Sequence, residues 1–127
     1  MGVGQTRQAR CAKDAVGAHG ERVAARHLEG AGMRVLDRNW RCADGELDLV
    51  AVDGDVLVFC EVKTRSGAGF GAPAEAVVRS KAARIRRLAL RWIAEHPGHG
   101  GRIRFDVVGV VLPRAGAAEV THIPAAF

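Results

Sequence analysis

The 127-residue chain suits one domain and leaves little room for a second. Its 48% apolar and 26% charged residues exclude a disordered tail and supply a core without help from disulfides. A net charge of +5, from 19 Lys and Arg against 14 Asp and Glu, favours an anionic partner, of which nucleic acid is the commonest for a small basic domain, although a basic surface also serves solubility alone.

In chain order, residues 1–13 carry Arg7, Arg10 and Lys13 among small and polar residues, and read as a flexible basic arm ahead of a single domain over 14–127. From about Asp14 to Ala31, the residues Val16, Gly20, Val23, Ala24, Leu28 and Ala31 tend to one side of a helix, and Gly32 offers its stop. Three strand-like runs follow, Arg34–Cys42, Glu46–Val52 and Asp55–Thr64. The last two flank Asp53-Gly54, a hairpin signal, because a type I′ turn needs positive φ at both central residues. Ser66–Pro73 holds Gly67, Gly69 and Gly71 and reads as a loop. An amphipathic helix is predicted over about Pro73–Glu95, with an apolar stripe of Val78, Ala82, Ile85, Ala89 and Trp92 and a second face carrying Arg84, Arg87 and Arg91. Pro97 and the glycines after it end that helix; Arg102–Leu112 reads as a buried strand and Glu119–Ile123 as a short edge strand.

The second and third strands are apolar on both sides. Leu47, Leu49, Val56, Val58 and Val62 fall on one face, and Val50, Val52, Leu57 and Phe59 on the other. Such a sheet needs cover on both faces, which implies an α/β layer structure in the order α-β-β-β-α-β(-β). Trp40 and Trp92 read as core. Cys11, Cys42 and Cys60 form an odd set without CxxC or zinc-finger spacing, which points to a reducing compartment, and Cys60 lies in an apolar run as a small core residue. No segment has the length and apolarity of a membrane span or signal peptide, so a cytoplasmic protein is expected. The five histidines show no ligand spacing.

The hairpin carries a geometric expectation. With Asp53-Gly54 as the two-residue turn, Val52 faces Asp55, Glu46 faces Glu61 and Asp48 faces Phe59. Opposed residues share a face, as do residues two apart on a strand, so Glu46, Asp48, Glu61 and Lys63 converge at the end away from the turn. One reading is an ion-pair cluster in which Lys63 neutralises Glu61 and Glu46, but desolvating several charges usually costs about what pairing returns. The other is a divalent-metal site. Oxygen-only ligands suit Mg²⁺ or Mn²⁺, which would lower the pKa of a bound water and stabilise charge on a phosphate, with Lys63 orienting that water or offsetting the charge.

Asp48, followed thirteen positions later by Glu61-Val62-Lys63 on the next strand after an N-terminal helix, resembles the PD-(D/E)XK nuclease superfamily. The wider set is similar to the YraN family of predicted bacterial endonucleases, whose fold resembles that of archaeal Holliday-junction resolvases. It comprises Glu21, Arg38-Asn39-Trp40-Arg41, Gly45-Glu46-Leu47-Asp48-Leu49-Val50, Phe59-Cys60-Glu61-Val62-Lys63-Thr64-Arg65, Phe70-Gly71 with Pro73, Lys81, and Arg104-Phe105-Asp106-Val107-Val108. The resemblance covers about residues 16–112 and implies a restriction-endonuclease-like core, a mixed sheet flanked by helices. It implies Asp48 and Glu61 as ligands of Mg²⁺ or Mn²⁺, Lys63 as the catalytic lysine and Glu21 as the acid that resolvase-like members carry on their first helix. One departure is that Leu47, not the Pro of the superfamily motif, precedes Asp48; many members lack that Pro, and Leu suits a strand.

Supporting residues have two readings each. Arg65 and Lys81 hold phosphates or are solvated charges; Arg84, Arg87 and Arg91 track a DNA backbone or form an ordinary charged face. Asp106 is a supporting acid behind the site or an internal hydrogen-bond acceptor, and Glu46 is a third acid or a rim charge. The function expected is a metal-dependent endonuclease acting on DNA, including branched or flapped forms. The alternatives are a non-catalytic nucleic-acid-binding module and a partner-protein adaptor. The resemblance also implies a homodimer, because cutting two symmetric strands takes two sites.

Overall fold

Strands that are apolar on both sides can be desolvated only between two layers. In the computed structural model, which describes residues 7–66, 79–99 and 101–127 and side chains from Ala15 onward, one helix covers each face. The elements are α1 (Arg7–Gly30), β1 (Arg34–Cys42), β2 (Gly45–Asp53), β3 (Val56–Ser66), α2 (Arg79–Glu95), β4 (Arg102–Leu112) and β5 (Glu119–Ile123). The sheet has the order β1-β2-β3-β4-β5. Neighbours joined by tight connections are antiparallel, whereas β3 and β4, joined across α2, are parallel. This is a mixed α/β fold, a five-stranded mixed sheet between two helices.

Two cores result. Ala24, Ala25 and Leu28 of α1 pack with Met33 on Leu49, Ala51, Val58, Cys60, Val108 and Val110. Ala82, Ile85, Leu88, Ala89 and Trp92 of α2 pack on Leu47, Val50, Leu57, Phe59 and Val107. The Trp92 indole N–H donates to Asp37 Oδ2 at 3.0 Å, which fixes the end of α2 against β1. Among the described residues, no helix is long and apolar enough to cross a membrane.

Several sequence expectations are corrected. The first helix begins at Arg7, not near Asp14, so Arg7, Arg10 and Lys13 lie within it rather than in an arm. Residues 7–15 hold Arg, Gln, Ala and Lys without Gly or Pro, and these helix formers extend α1 despite weak periodicity. Its end is as expected. Gly32, at φ 96°, donates to Glu29 O, and Met33 N–H donates to Leu28 O, which satisfies two terminal carbonyls and brings Met33 onto Leu28. The β2–β3 turn is Gly54-Asp55, because Asp53 pairs with Val56. Gly54 takes a φ of 64° and Asp55 does not, so Gly supplies the first central position of a II′-like turn rather than the second of a I′ turn. The shift is two residues, so each side chain keeps its face while its partner changes. Leu47, grouped with Leu49 on sequence, packs in the opposite core. Leu88 is buried where the stripe omitted it. Val78, the loop over 67–73 and the expected start of α2 at Pro73 lie outside the described residues.

Gly20 sets how closely α1 approaches the sheet. A Cβ there would come within 2.0 Å of Thr64 Oγ1 and 2.8 Å of Thr64 Cβ, on a short branched side chain that cannot swing aside. At the other end of the sheet, Asp106 is fully buried and accepts from Arg104 at 2.9 Å through both its oxygens. His122 of β5 lies 2.7 Å away, Ala125 N–H donates at 3.0 Å, and Arg104 also reaches Asp53 at 3.0 Å. Burial works against the Asp106 charge, but Arg104, His122 and the Ala125 N–H outweigh it and hold the carboxyl below the usual range. Of its two sequence readings, Asp106 is therefore the internal acceptor that fastens β5 and the C-terminal turn to β4.

Two stability outcomes are expected in urea denaturation. Gly20→Ala should cost about 1–3 kcal/mol through overpacking. Asp106→Ala should cost about 3 kcal/mol by leaving Arg104 unpaired. Because the folded Asp106 pKa is depressed, its contribution is present above the unfolded carboxylate value and lost as pH falls through the folded one. The variant's deficit should therefore shrink in acid.

Candidate functional site

The β2–β3 ladder runs from Asp53↔Val56 to Leu49↔Cys60 and stops there. Both strands continue with their outer partners, β2 beside β1 to Gly45↔Cys42 and β3 beside β4 to Ser66↔Leu112. The sheet therefore forks. Asp48 stands at the fork, where its Oδ2 accepts the Val62 N–H at 2.9 Å, a donor the ladder no longer serves.

A local kink in β1 accompanies the fork. Asn39 lies between the pairs Arg38↔Leu49 and Trp40↔Leu47, beside Asp48, and has a left-handed φ of 51°, which Asn tolerates better than most residues. Strand alternation breaks here, so Leu49 faces α1 while Leu47, only two residues away, faces α2. Asp48, between them, is aimed into the fork instead of into either core.

Acids from several elements meet at this point. Ligand oxygens of Glu21 from α1 and of Glu46 and Asp48 from β2 lie within 4.8 Å of one another. Gly20, through its close approach to Thr64, brings Glu21 to the fork. Glu61 of β3 adds its charge beside Asp48 and is ion-paired to Lys81 of α2. Burial first, then the Glu61 charge, push Asp48 up to about 8, against the Val62 hydrogen bond that lowers it. Burial and the Glu46 charge raise Glu21, opposed by Asn39, Asp48 and Arg41. Four carboxylates thus crowd a place where they cannot all be charged at low cost, an arrangement that a bound cation relieves.

A cleft of about 670 Å³ opens over these groups, between the β1–β2 hairpin and α2. Asp48, Glu46 and Glu61 line it together with the cations Arg41, Lys81 and Arg84. Arg41 reaches Glu46 at 3.6 Å from an exposed position on the rim. Of the four residues expected to converge from the hairpin, Glu46, Asp48 and Glu61 do so in the cleft, though not with the partners expected. The two-residue register shift sets Asp48, rather than Glu46, against Glu61's end of β3, whereas Phe59 pairs with Val50. Lys63 is half-buried one alternation beyond Glu61 and is not among the residues lining the cleft. Arg84 belongs to the cleft wall. Arg87 is exposed outside it, and Arg91 pairs with Asp44 and Glu95 at 3.3 Å. Arg65 is exposed near the end of β3. Asn39, Arg41 and the Val62 N–H are site features that the spacing argument passed over. The available signal was Asn39 itself, a residue depleted in strands, in the middle of a predicted one.

The sequence pattern of the uncharacterised protein family UPF0102 matches residues 20–110, from the tight contact at Gly20 through most of β4. The chain belongs to the UPF0102 family. A UPF0102 protein of Beutenbergia cavernae is 64% identical over 112 residues, covering 88% of this chain and 95% of the relative. UPF0102 proteins of Frankia casuarinae and Frankia alni are each 63% identical over 116 residues, covering 91% of this chain and 98% and 97% of themselves. The UPF0102 match contains all four acids of the fork and Lys81.

The raised Asp48 value has a measurable consequence. Its folded pKa lies above its unfolded one, so the folded state holds the extra proton and loses stability as pH rises from about 4 toward 8. Asp48→Asn keeps an acceptor for the Val62 N–H and removes the charge, so in EDTA at pH 8 it should raise stability by roughly 1–2 kcal/mol. Thermal melts check this, and a variant less stable than the natural protein at pH 8 would contradict it.

Proposed function

We propose that this UPF0102 protein is a metal-dependent endonuclease with a resolvase-like PD-(D/E)XK core that cleaves phosphodiester bonds in DNA, branched or flapped forms included. The observation that carries this reading is the convergence of Glu46, Asp48 and Glu61 in a forked sheet under a cleft with cationic walls, with Glu21 beside Glu46 and Asp48. A protein that only bound a polyanion would gain nothing from the three carboxylates of Glu46, Asp48 and Glu61 that line the cleft.

The donor set fits Mg²⁺ or Mn²⁺, since all its side-chain ligands are carboxylate oxygens and no His or Cys joins them among the described residues. Asp48 and Glu61 would hold the ion, with Glu21 and Glu46 beside them. When bound, such an ion supplies a water of lowered pKa and stabilises negative charge on a phosphate. The Val62 N–H fixes the Asp48 carboxylate, leaving its other oxygen to turn toward the cleft. Arg41 and Arg84 on the two walls attract the phosphates and set the strand's path. Lys63 is carried as the catalytic lysine. From its place past Glu61 it acts on the attacking water or on the charge of the pentacovalent phosphate once substrate is bound.

Labelled four-way junctions, flaps, single strands and duplexes, incubated with Mg²⁺, Mn²⁺ or EDTA, test the reading. Cutting should require the metal and fall by roughly a hundred-fold or more in Asp48→Ala and Lys63→Ala. Salt-sensitive binding to every substrate without cutting would replace the nuclease with a non-catalytic nucleic-acid-binding module.

A further inference from the structure

Lys81 holds Glu61 in the protein without metal. The Glu61 side chain is 9% exposed, whereas that of Lys81 is 42% exposed, so the pair joins a fixed acid to a cation that still reaches water. The other acid–base pair in the cleft, Arg41–Glu46, is looser at 3.6 Å and more open. Among the described residues, Asp48, next to Glu61, accepts a backbone N–H and pairs with no cation. Lys81 is therefore the chief counter-charge that the described residues bring to the buried end of the fork.

An ammonium and a divalent cation compete for the Glu61 carboxylate, because like charges on neighbouring oxygens repel and the ammonium already holds Oε2. The lysine side chain is a point charge on a flexible four-carbon stem, able to leave without moving its helix. On leaving Glu61 it stays on the α2 wall of the cleft, one helical turn before Arg84, within reach of a phosphate held there. We infer that Lys81 is an exchangeable counter-ion: it neutralises Glu61 until a divalent cation takes that carboxylate, and then serves a phosphate of the nucleic acid from the same wall. The inference rests on the metal-dependent reading above and adds that cation and nucleic acid bind cooperatively through one side chain, each raising the affinity for the other by the same factor.

The test needs no cleavage. Mn²⁺ affinity is measured by calorimetry without DNA, and the affinity for a labelled four-way junction is measured in EDTA and in Ca²⁺, for the natural protein, Lys81→Met and Lys81→Gln. With no ammonium to displace from a half-exposed pair, both variants should bind Mn²⁺ roughly two- to five-fold more tightly. In Ca²⁺ they should bind the junction more weakly, with the salt slope reduced by about one, and in EDTA they should match the natural protein. Arg84→Met, a fixed wall charge, should weaken junction binding equally in both conditions. Unchanged or weaker Mn²⁺ affinity in both Lys81 variants would overturn the exchange, as would an equal loss of junction affinity with and without Ca²⁺. No Mn²⁺ binding by any of the proteins overturns the exchange and the metal site together. A protein that shows the exchange but cuts nothing loses only the nuclease reading.

Discussion

The arrangement depends on one hydrogen bond, from the Val62 N–H to the Asp48 carboxylate. Where β2 and β3 part, backbone donors lose their ladder partners, and an unpaired buried N–H would cost about 1–3 kcal/mol. Asp48 fills that vacancy with a side chain. The fork is thereby stabilised at the point where it opens, and a titratable carboxyl is fixed where a backbone carbonyl would otherwise be. Glu61 on one side and Glu21 on the other are brought together because a gap in the sheet lets groups from both faces meet.

This concentration of acids opposes stability, and the fold offsets it locally. Two dry cores flank the sheet, and the close contact of Gly20 with Thr64 holds α1 against β3 one residue before Glu21. On the other face, Trp92 and Asp37 tie α2 to β1, which keeps Lys81 and Arg84 opposite the hairpin that carries Glu46. The site is built at the boundary between well-packed layers, where burial is deep enough to perturb Asp48 while the cleft remains open to a charged ligand.

The fourth strand, where Asp106 fastens β5, shows a buried acid used the other way. Asp106 is more deeply buried than Asp48, yet its carboxyl lies below the ordinary range, because Arg104, His122 and Ala125 all complement its charge. Asp48 has one N–H and three neighbouring acids, Glu21, Glu46 and Glu61, and its carboxyl is raised. Burial alone therefore does not distinguish a structural acid from a candidate ligand; the sign of the surrounding charge does.

Much of this was legible in the sequence. Apolar periodicity and the Gly and Pro breaks located β1 and β4 to the residue and found the β5 edge, because those signals are local. Parity along the hairpin was enough to collect Glu46, Asp48 and Glu61, since a register error of two residues leaves every face unchanged. Only the tertiary structure decided the partners. The turn moved to Gly54-Asp55, the alternation broke at Asn39, and Leu47 crossed to the other core. Lys81 reached Glu61 from twenty positions away. These outcomes depend on the position of a helix across a twisted, forked sheet, and no window of neighbouring residues encodes that position. The sequence determined which residue types and faces were available; the packing of α1 and α2 against the fork decided which of them meet.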